Sequence, residues 1–332
     1  MRLTFLGTGA ALPSRTRNVS ALALSFEQRG GWWLFDCGEG TQHRILASPL
    51  SPARLERVFL SHLHGDHCFG LPGLLCSRWM HGQAGPIAIH GPRGTGDYLA
   101  AIERTTLTHF GFRIELGEVD PPSSFPTDDG ITVHAAEVVH AKTTLAWVVC
   151  EADFAGRLRA DELSAMGVPS GPLLGALKRG ERVSLPDGRV IDGALYTDPP
   201  RPGRRLAIVF DSCDSGAIVE RARGADVLVH EATYLGRTDG ALARKNHHST
   251  AADAGALAAR IEARVLVLNH LSPRYDAPGP GEPGVADLVA EARMQFGGEV
   301  VCAYDGYVLD VPRRDPVPRA HPPSRSAMPG SQ

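Results

Sequence analysis

The residues best suited to chemistry crowd into one short stretch, Ser61-His62-Leu63-His64-Gly65-Asp66-His67. Four potential ligands, His62, His64, Asp66 and His67, fall within six residues, directly after the strand-like run Arg57-Val58-Phe59-Leu60. On extended backbone alternate residues share a face, so His62 and His64 point the same way. A turn at Gly65 then lets Asp66 and His67 face a second position nearby. Imidazole and carboxylate are the donors expected of zinc, and two such metals about 3.5–4 Å apart can activate water while stabilising a leaving oxygen. The competing reading is a histidine-rich surface turn that binds nothing. That reading predicts no further ligands downstream, whereas a metal site demands them.

Downstream candidates exist. His140 follows the apolar run Ile131 to Val139, Asp211 follows Ile208-Val209-Phe210, and His270 follows Val265 to Asn269. Each closes a strand pattern, so one sheet edge could collect all three. His230-Glu231-Ala232-Thr233-Tyr234 also follows an apolar run, and His248-Ser249-Thr250 opens a helix pattern with Ser249 or Thr250 available as its cap.

The elements that must position these residues alternate along the chain. Strands are expected at Leu3 to Leu6, Ala21 to Phe26, Trp32 to Phe35, Val58 to Ser61 and Ile87 to His90. In the second half they are expected at Ala146 to Cys150, Leu206 to Phe210, Val227 to Val229, Val265 to Asn269 and Glu299 to Ala303. Gly96 to Arg104, Ser215 to Arg223, Thr250 to Ala263 and Gly284 to Phe296 have helical spacing. Two such blocks imply an α/β protein, an αββα sandwich with two sheets inside and helices outside. One domain is expected over residues 1–310. Residues 154–200, rich in Gly, Pro and charge with a short helix-like centre, interrupt it as a protruding arm. The Pro/Arg/Ser-rich segment 311–332 reads as a disordered tail.

Composition narrows the class. Of 332 residues, 43% are hydrophobic and 21% charged, which excludes both wholesale disorder and a membrane-embedded chain. No apolar run approaches the roughly 18–20 residues that span a bilayer, so no membrane partner is expected. Met1 to Pro13 reads as a first strand interrupted by Gly-Thr-Gly, not as a signal peptide. The six cysteines form no Cys-x-x-Cys pair and fit reduced thiols in a cytoplasm. With a formal net charge of −3, any nucleic-acid partner must be held by a local basic patch.

The segment His62 to His67, continued by Cys68-Phe69-Gly70-Leu71-Pro72-Gly73-Leu74-Leu75, resembles the metal site of the metallo-β-lactamase superfamily, and within it short-form ribonuclease Z. The resemblance runs from Met1 to about Leu309. It implies a fold of that superfamily with an exosite arm, and two zinc ions per subunit. His62, His64 and His140 would hold one ion, and Asp66, His67 and His270 the other, with Asp211 and a hydroxide between them. Asp66 would also serve as general base. Asp211 is preferred to Asp214 for its separation from the His-Glu-Ala-Thr motif. Cys213 stands where the family often has Arg.

Further residues carry the resemblance towards RNA. The segments around Glu231 and His248 resemble two ribonuclease Z signatures, which implies that this couple protonates the leaving 3′ oxygen; alone, His247 or His248 could merely coat a helix. Pro13-Ser14-Arg15-Thr16-Arg17-Asn18 resembles a family loop, with Arg15 in place of the usual Lys, and implies substrate contacts by Arg15, Arg17 and Asn18. Arg274, in Ser272-Pro273-Arg274-Tyr275, would meet a phosphate. The arm segment Gly171-Pro172 to Lys178-Arg179-Gly180 resembles the family's grip on the transfer RNA elbow, so Gly171, Pro172, Lys178 and Arg179 are expected to bind substrate, with Arg157 and Arg159 adding charge. Asp36 in Asp36-Cys37-Gly38-Glu39-Gly40 would orient ligand imidazoles. The implied activity is removal of the 3′ trailer from precursor transfer RNA by hydroxide attack, leaving a 3′-hydroxyl, in a cytoplasmic homodimer whose arm serves the partner's site. A phosphodiesterase or arylsulfatase acting on small diesters is the alternative enzyme. A non-catalytic RNA-binding or scaffold protein is the alternative class.

Overall fold

The computed structural model describes residues 1–332 apart from 28, 83–84, 128–129 and 315–332. Most of the segment expected as a disordered tail, 315–332, therefore lies outside the described residues. The described chain divides into two compact units, one formed by Met1–Cys150 with Arg204–Pro312 and the other built on Glu151–Gly203.

The larger unit holds two seven-stranded sheets. Across the first, the strands lie in the order Val308–Asp310, Arg2–Gly7, Ala21–Ser25, Trp32–Phe35, Leu55–Phe59, Ile87–Gly91 and Ile114–Glu118. Across the second they run Glu299–Cys302, Val265–Asn269, Val227–Glu231, Arg205–Val209, Thr144–Glu151, Ile131–Val138 and Ser123–Pro126. Apolar residues sort by alternation onto the two faces of each strand. Leu206 and Ile208 join Trp147, Val229, Phe5, Trp33 and Phe59 in the layer between the sheets. Ala207 and Val209 face outward onto the helices Ala251–Arg260 and Val285–Gln295. On the outer face of the first sheet, Leu34, Val58 and Ile89 pack against Ile45, Leu71, Leu74, Leu75 and Leu99 of three helices. Burial on both faces explains why these strands read as continuous apolar runs instead of alternating ones. Three apolar layers thus separate the four layers of the αββα sandwich.

Several elements escape a reading of periodicity: the helices Thr41–Leu46, Leu71–Met80 and Gly236–Lys245, and the strands Ile114–Glu118, Ser123–Pro126 and Val308–Asp310. Conversely, Ser215 to Arg223 is not one helix but a 3₁₀ turn, Gly216–Ile218, followed by a single turn, Val219–Ala222. Thr250, not Ser249, caps the helix Ala251–Arg260. Its hydroxyl accepts from the Asp253 N–H at 3.2 Å while the Asp253 carboxylate accepts from the Thr250 N–H at 2.9 Å, a reciprocal capping box.

The smaller unit is more regular than its composition suggests. Helices Ala160–Ala165 and Pro172–Lys178, the hairpin Arg182–Ser184 with Val190–Asp192, and the short helix Gly193–Tyr196 enclose a core of Leu163, Val168, Leu177, Val183, Leu185 and Ile191. Its two ends are joined by paired backbone bonds between Phe154 and Arg201, 2.9 Å each way.

Among the described residues no helix is long and apolar enough to cross a membrane. All six cysteines are free.

Candidate metal centre

Topology brings the chemistry to one edge. Trp32–Phe35, Leu55–Phe59 and Ile87–Gly91 run parallel in one sheet, and Arg205–Val209, Val227–Glu231 and Val265–Asn269 run parallel in the other. Residues just past the end of each strand therefore collect at the carboxyl edge, where open α/β sheets place their sites. His62, Asp211 and His270 lie just beyond three of these ends, and Glu231 is the final residue of a fourth. His140 sits in the turn joining Ile131–Val138 to Thr144–Glu151, whose antiparallel pairing with Arg205–Val209 returns it to the same edge. His64 precedes the single helical turn Gly65–Cys68, which carries Asp66 and His67.

The side chains converge in two groups sharing one carboxylate. His62, His64, His140 and Asp211 have ligand atoms all within 4.8 Å of one another, and so do Asp66, His67, Asp211 and His270. His64 Nδ1 lies 2.9 Å from His62 Nε2 and 3.4 Å from His140 Nε2. Asp211 Oδ2 is 3.7 Å from both His62 Nε2 and His140 Nε2. Its Oδ1 is 3.2 Å from His67 Nε2 and 3.1 Å from His270 Nε2. Asp66 Oδ2 completes the second group, 3.3 Å from His67 Nε2 and 3.5 Å from His270 Nε2. Each oxygen of Asp211 thus serves a different set of imidazoles.

The opposite ring nitrogens are fixed from behind, which sets the direction of each Nε2. His67 Nδ1 bonds Asp36 Oδ2 at 2.6 Å, and Asp36 is held in turn by the Ser61 N–H and hydroxyl at 2.6 and 2.7 Å. His62 Nδ1 meets the Ser61 hydroxyl at 2.9 Å, His140 Nδ1 donates to the His247 carbonyl at 2.8 Å, and His270 Nδ1 meets the Thr233 hydroxyl at 3.0 Å. Six described non-glycine residues have positive φ, and four of them, Ala11, Asp36, His247 and His270, make these contacts or, for Ala11, donate an N–H to Asp66. Such backbone costs about 1–3 kcal/mol per residue and persists where surrounding structure enforces it.

Electrostatics identify what belongs in the gap. Burial by itself works against a charged His67, yet the Asp211 and Asp36 carboxylates outweigh it and hold its pKa well above the ordinary value. Burial would likewise raise the Asp66 carboxyl, but hydrogen bonding to His270 and His67 keeps it well below the usual range. His67 Nε2 and Asp211 Oδ1 are buried without a conventional hydrogen-bond partner. Unpartnered imidazole nitrogens facing buried carboxylates need a cation between them, and the all-nitrogen-and-oxygen donor set suits a divalent one.

Beside this cluster Glu231, fully buried, accepts from the Ser212 N–H and the Thr233 hydroxyl at 2.5 Å each and from His248 Nδ1 at 3.1 Å. Burial lowers the His248 pKa, but the charge and hydrogen bond of Glu231, with Asp211 behind, raise it to about 9. Neighbouring His230 is turned away, its ring held by the Ser215 hydroxyl and the Glu231 carbonyl.

The residues nominated for substrate contact meet different fates. Arg15 is exposed. Arg17 is only 7% exposed, and its guanidinium is engaged inside the fold by Asp276 at 2.5 Å and by the Thr8 hydroxyl and Ala303 carbonyl at 2.7 Å. Nε and Nη1 of Arg17 thus fasten the loop inside the fold. Asn18 is half-buried, its N–H on Asp305 at 2.7 Å. Arg274 is partly exposed but tied to Asp239 at 2.7 Å and to the Ser272 hydroxyl at 3.1 Å. In the smaller unit Gly171, Pro172, Lys178 and Arg179 are exposed, Arg179 paired with Glu181 at 2.6 Å. Sequence reasoning missed Ser61, Thr233 and the His247 carbonyl as supports. Their adjacency to the motifs was the one signal that could have pointed to them.

A two-sheet sandwich that gathers a carboxylate-linked histidine cluster at the carboxyl edge defines a metal-dependent hydrolase of metallo-β-lactamase fold. The metallo-β-lactamase-fold protein YhfI of Bacillus subtilis shares that fold at a TM-score of 0.63 and 18% identity, over 93% of this chain and 98% of that one. The family model of anti-Pycsar protein Apyc1 matches residues 1–93. Much closer likeness is found to ribonuclease Z of Brevibacillus brevis, 42% identical over 89% of this chain and 92% of that protein, and to ribonuclease Z of Nostoc punctiforme, 43% identical over 95% and 97%. The crystal structure of human tRNase Z, short form, superposes at a TM-score of 0.66 with 29% identity, over 94% of this chain and all of that one. The chain belongs to the ribonuclease Z family.

Proposed function

We propose that this protein removes the 3′ trailer of precursor transfer RNA by hydrolysing one phosphodiester, leaving a 3′-hydroxyl on the retained strand and a 5′-phosphate on the trailer. The observation that carries the reading is Asp211, whose two oxygens each address a separate set of histidines, beside a histidine–glutamate couple suited to giving up a proton.

In this reading His62, His64 and His140 would hold one zinc and Asp66, His67 and His270 another, with Asp211 available to both. Bound divalent metals would acidify water and stabilise charge on the phosphate. The chain's own groups do the rest. Asp66, steadied by the Ala11 N–H at 3.0 Å, takes the proton of the attacking water. His248, with a pKa near 9, is protonated at neutral pH and donates to the 3′ oxygen as the phosphorus–oxygen bond breaks. Glu231 holds His248 in place and favours its charged form. Arg15, Asn18 and Arg274 contact substrate near the site, while Gly171, Pro172, Lys178 and Arg179 grip the transfer RNA from the smaller unit, which acts as the exosite arm of a domain spanning 1–310. A homodimer in the cytoplasm completes the reading; light scattering tests the dimer.

Purified, metal-analysed protein incubated with a trailer-bearing transcript, followed by end mapping, is the decisive experiment. Cleavage after the discriminator nucleotide is expected, and its loss in His64→Ala and Asp66→Ala with the fold retained. Full activity in either variant would sink the assignment. To separate this substrate from a small diester, residues 155–200 can be replaced by a short Gly-Ser linker, because Phe154 and Arg201 already pair. Transfer RNA cleavage should vanish while a chromogenic diester is still hydrolysed.

A further inference from the structure

Of the arginines nominated for substrate contact near the metal centre, Arg17 is bonded by Asp276 and Arg274 by Asp239, while Arg15 is exposed. A strand drawn into the site needs cations for the phosphates on both sides of the one being cut, because those charges are not met by the metals. Lys142, which no motif singles out, stands in the right place. It lies two residues beyond His140, exposed, and its side chain makes no hydrogen bond or ion pair to another described residue. Together with Glu137, Val139, His140 and Thr143 it lines an open cleft of about 490 Å³, in which it is the one lysine or arginine among the described residues.

The loop presenting Lys142 is pinned on every side. The Val139 N–H bonds the Asp214 carbonyl at 3.0 Å, His140 is fixed by the His247 carbonyl, the Thr144 hydroxyl donates to the Lys142 carbonyl at 2.9 Å, and the Leu145 N–H bonds the Ser61 carbonyl at 2.8 Å. The backbone of Lys142 is therefore held in register with the ligands while its ammonium is free. The position also gives a direction. His140 and His248 are neighbours, ring centroids 5.1 Å apart, so Lys142 shares the flank of the proton donor. The leaving 3′ oxygen belongs to the last retained nucleotide, which must occupy that flank. Elsewhere, the cleft of about 340 Å³ that Asp66 lines with Glu39 and Phe69 offers carboxylates to the strand, not cations.

We propose that Lys142 binds the phosphodiester immediately 5′ of the last retained nucleotide, positioning the strand so that its 3′ oxygen meets His248. This rests on the reading of the protein as a trailer-removing nuclease. The test compares wild type, Lys142→Ala and Lys142→Arg on a precursor transfer RNA over a range of salt. It is repeated with a substrate whose linkage at that one position is an uncharged methylphosphonate. Lys142→Ala should raise KM about 3- to 10-fold with little change in kcat, and reduce the slope of log KM against log salt by about 0.7–0.9, the value of one lost phosphate contact. Lys142→Arg should restore most of both. The methylphosphonate should reproduce the loss in wild type and add nothing to Lys142→Ala. An unchanged KM and slope in Lys142→Ala, or a methylphosphonate penalty undiminished in that variant, overturns the assignment while wild type still cleaves. Failure of wild type to cleave the transcript overturns the nuclease reading and this inference with it.

Discussion

Two histidines removed from water in the same sandwich behave in opposite ways. His90, at the end of Ile87–Gly91, lies between the rings of Phe59 and Phe125, centroids 5.1 and 4.8 Å away and nearly parallel, and its Nε2 has no partner. Burial there, helped by Arg57, lowers its pKa to about 4. His67, at the sheet edge, is more deeply buried, yet its pKa is raised because Asp211 and Asp36 face it from two sides. Removal from water penalises the charged imidazole in both places; only a carboxylate reverses the outcome. The interior layer is thus built to exclude charge, and the edge to hold a cation.

The sharpest way to break that contrast is to remove the shared carboxylate. Asp211→Asn should abolish trailer cleavage by more than about 10⁴-fold, beyond the range of a lost proton donor. Its metal content, measured by elemental analysis, should fall to one ion or none per chain; two tightly held ions would show that Asp211 joins nothing. Next in size is the donor couple. His248→Ala and Glu231→Gln should each lower kcat by about 10²–10⁴-fold on precursor transfer RNA with metal content unchanged. A fall in metal content of similar depth would make the couple a ligand group instead. Thr233→Val, which removes the hydroxyl behind His270, should weaken metal binding by about 10–100-fold in a competition titration against a chelator, because the ring loses its fixed orientation.

The smallest expected effect concerns the interior. With a folded pKa near 4 against an ordinary 6.5, His90 is neutral in the fold, so its contribution is fully present above about pH 6.5 and is lost as pH falls towards 4. Urea unfolding of metal-free protein across that window should show wild type losing roughly 1–3 kcal/mol more than His90→Phe, a discounted figure for a ring that retains some exposure. Equal acid limbs in the two proteins would show that His90 is not the titrating group.

Much of this was legible before any tertiary information, and for a definite reason. The strands of both sheets are apolar on two faces, so they announce themselves as unbroken runs, and residues standing just beyond such runs must fall at a sheet edge. His140, Asp211 and His270 could be nominated on that ground although 78 or more positions separate each from His62. The smaller unit was far less legible. Its helices have four to seven residues, too few turns for an apolar period to stand out, and its core holds six side chains.

Sequence alone determined which donors are present, in what chemical mix, and which strand each succeeds, because residue type and local periodicity are one-dimensional properties. Direction and partnership belong to the tertiary structure. A linear reading does not say which way Arg17 or Lys142 faces, but Arg17 turns inward to Asp276, 259 residues further on, and Lys142 does not. The division of Asp211's two oxygens between two sets of histidines, and the opposite pKa shifts of His67 and His90, were settled the same way. A charge takes its energy from whatever the fold brings within a few ångströms, and the distance along the chain does not enter that energy.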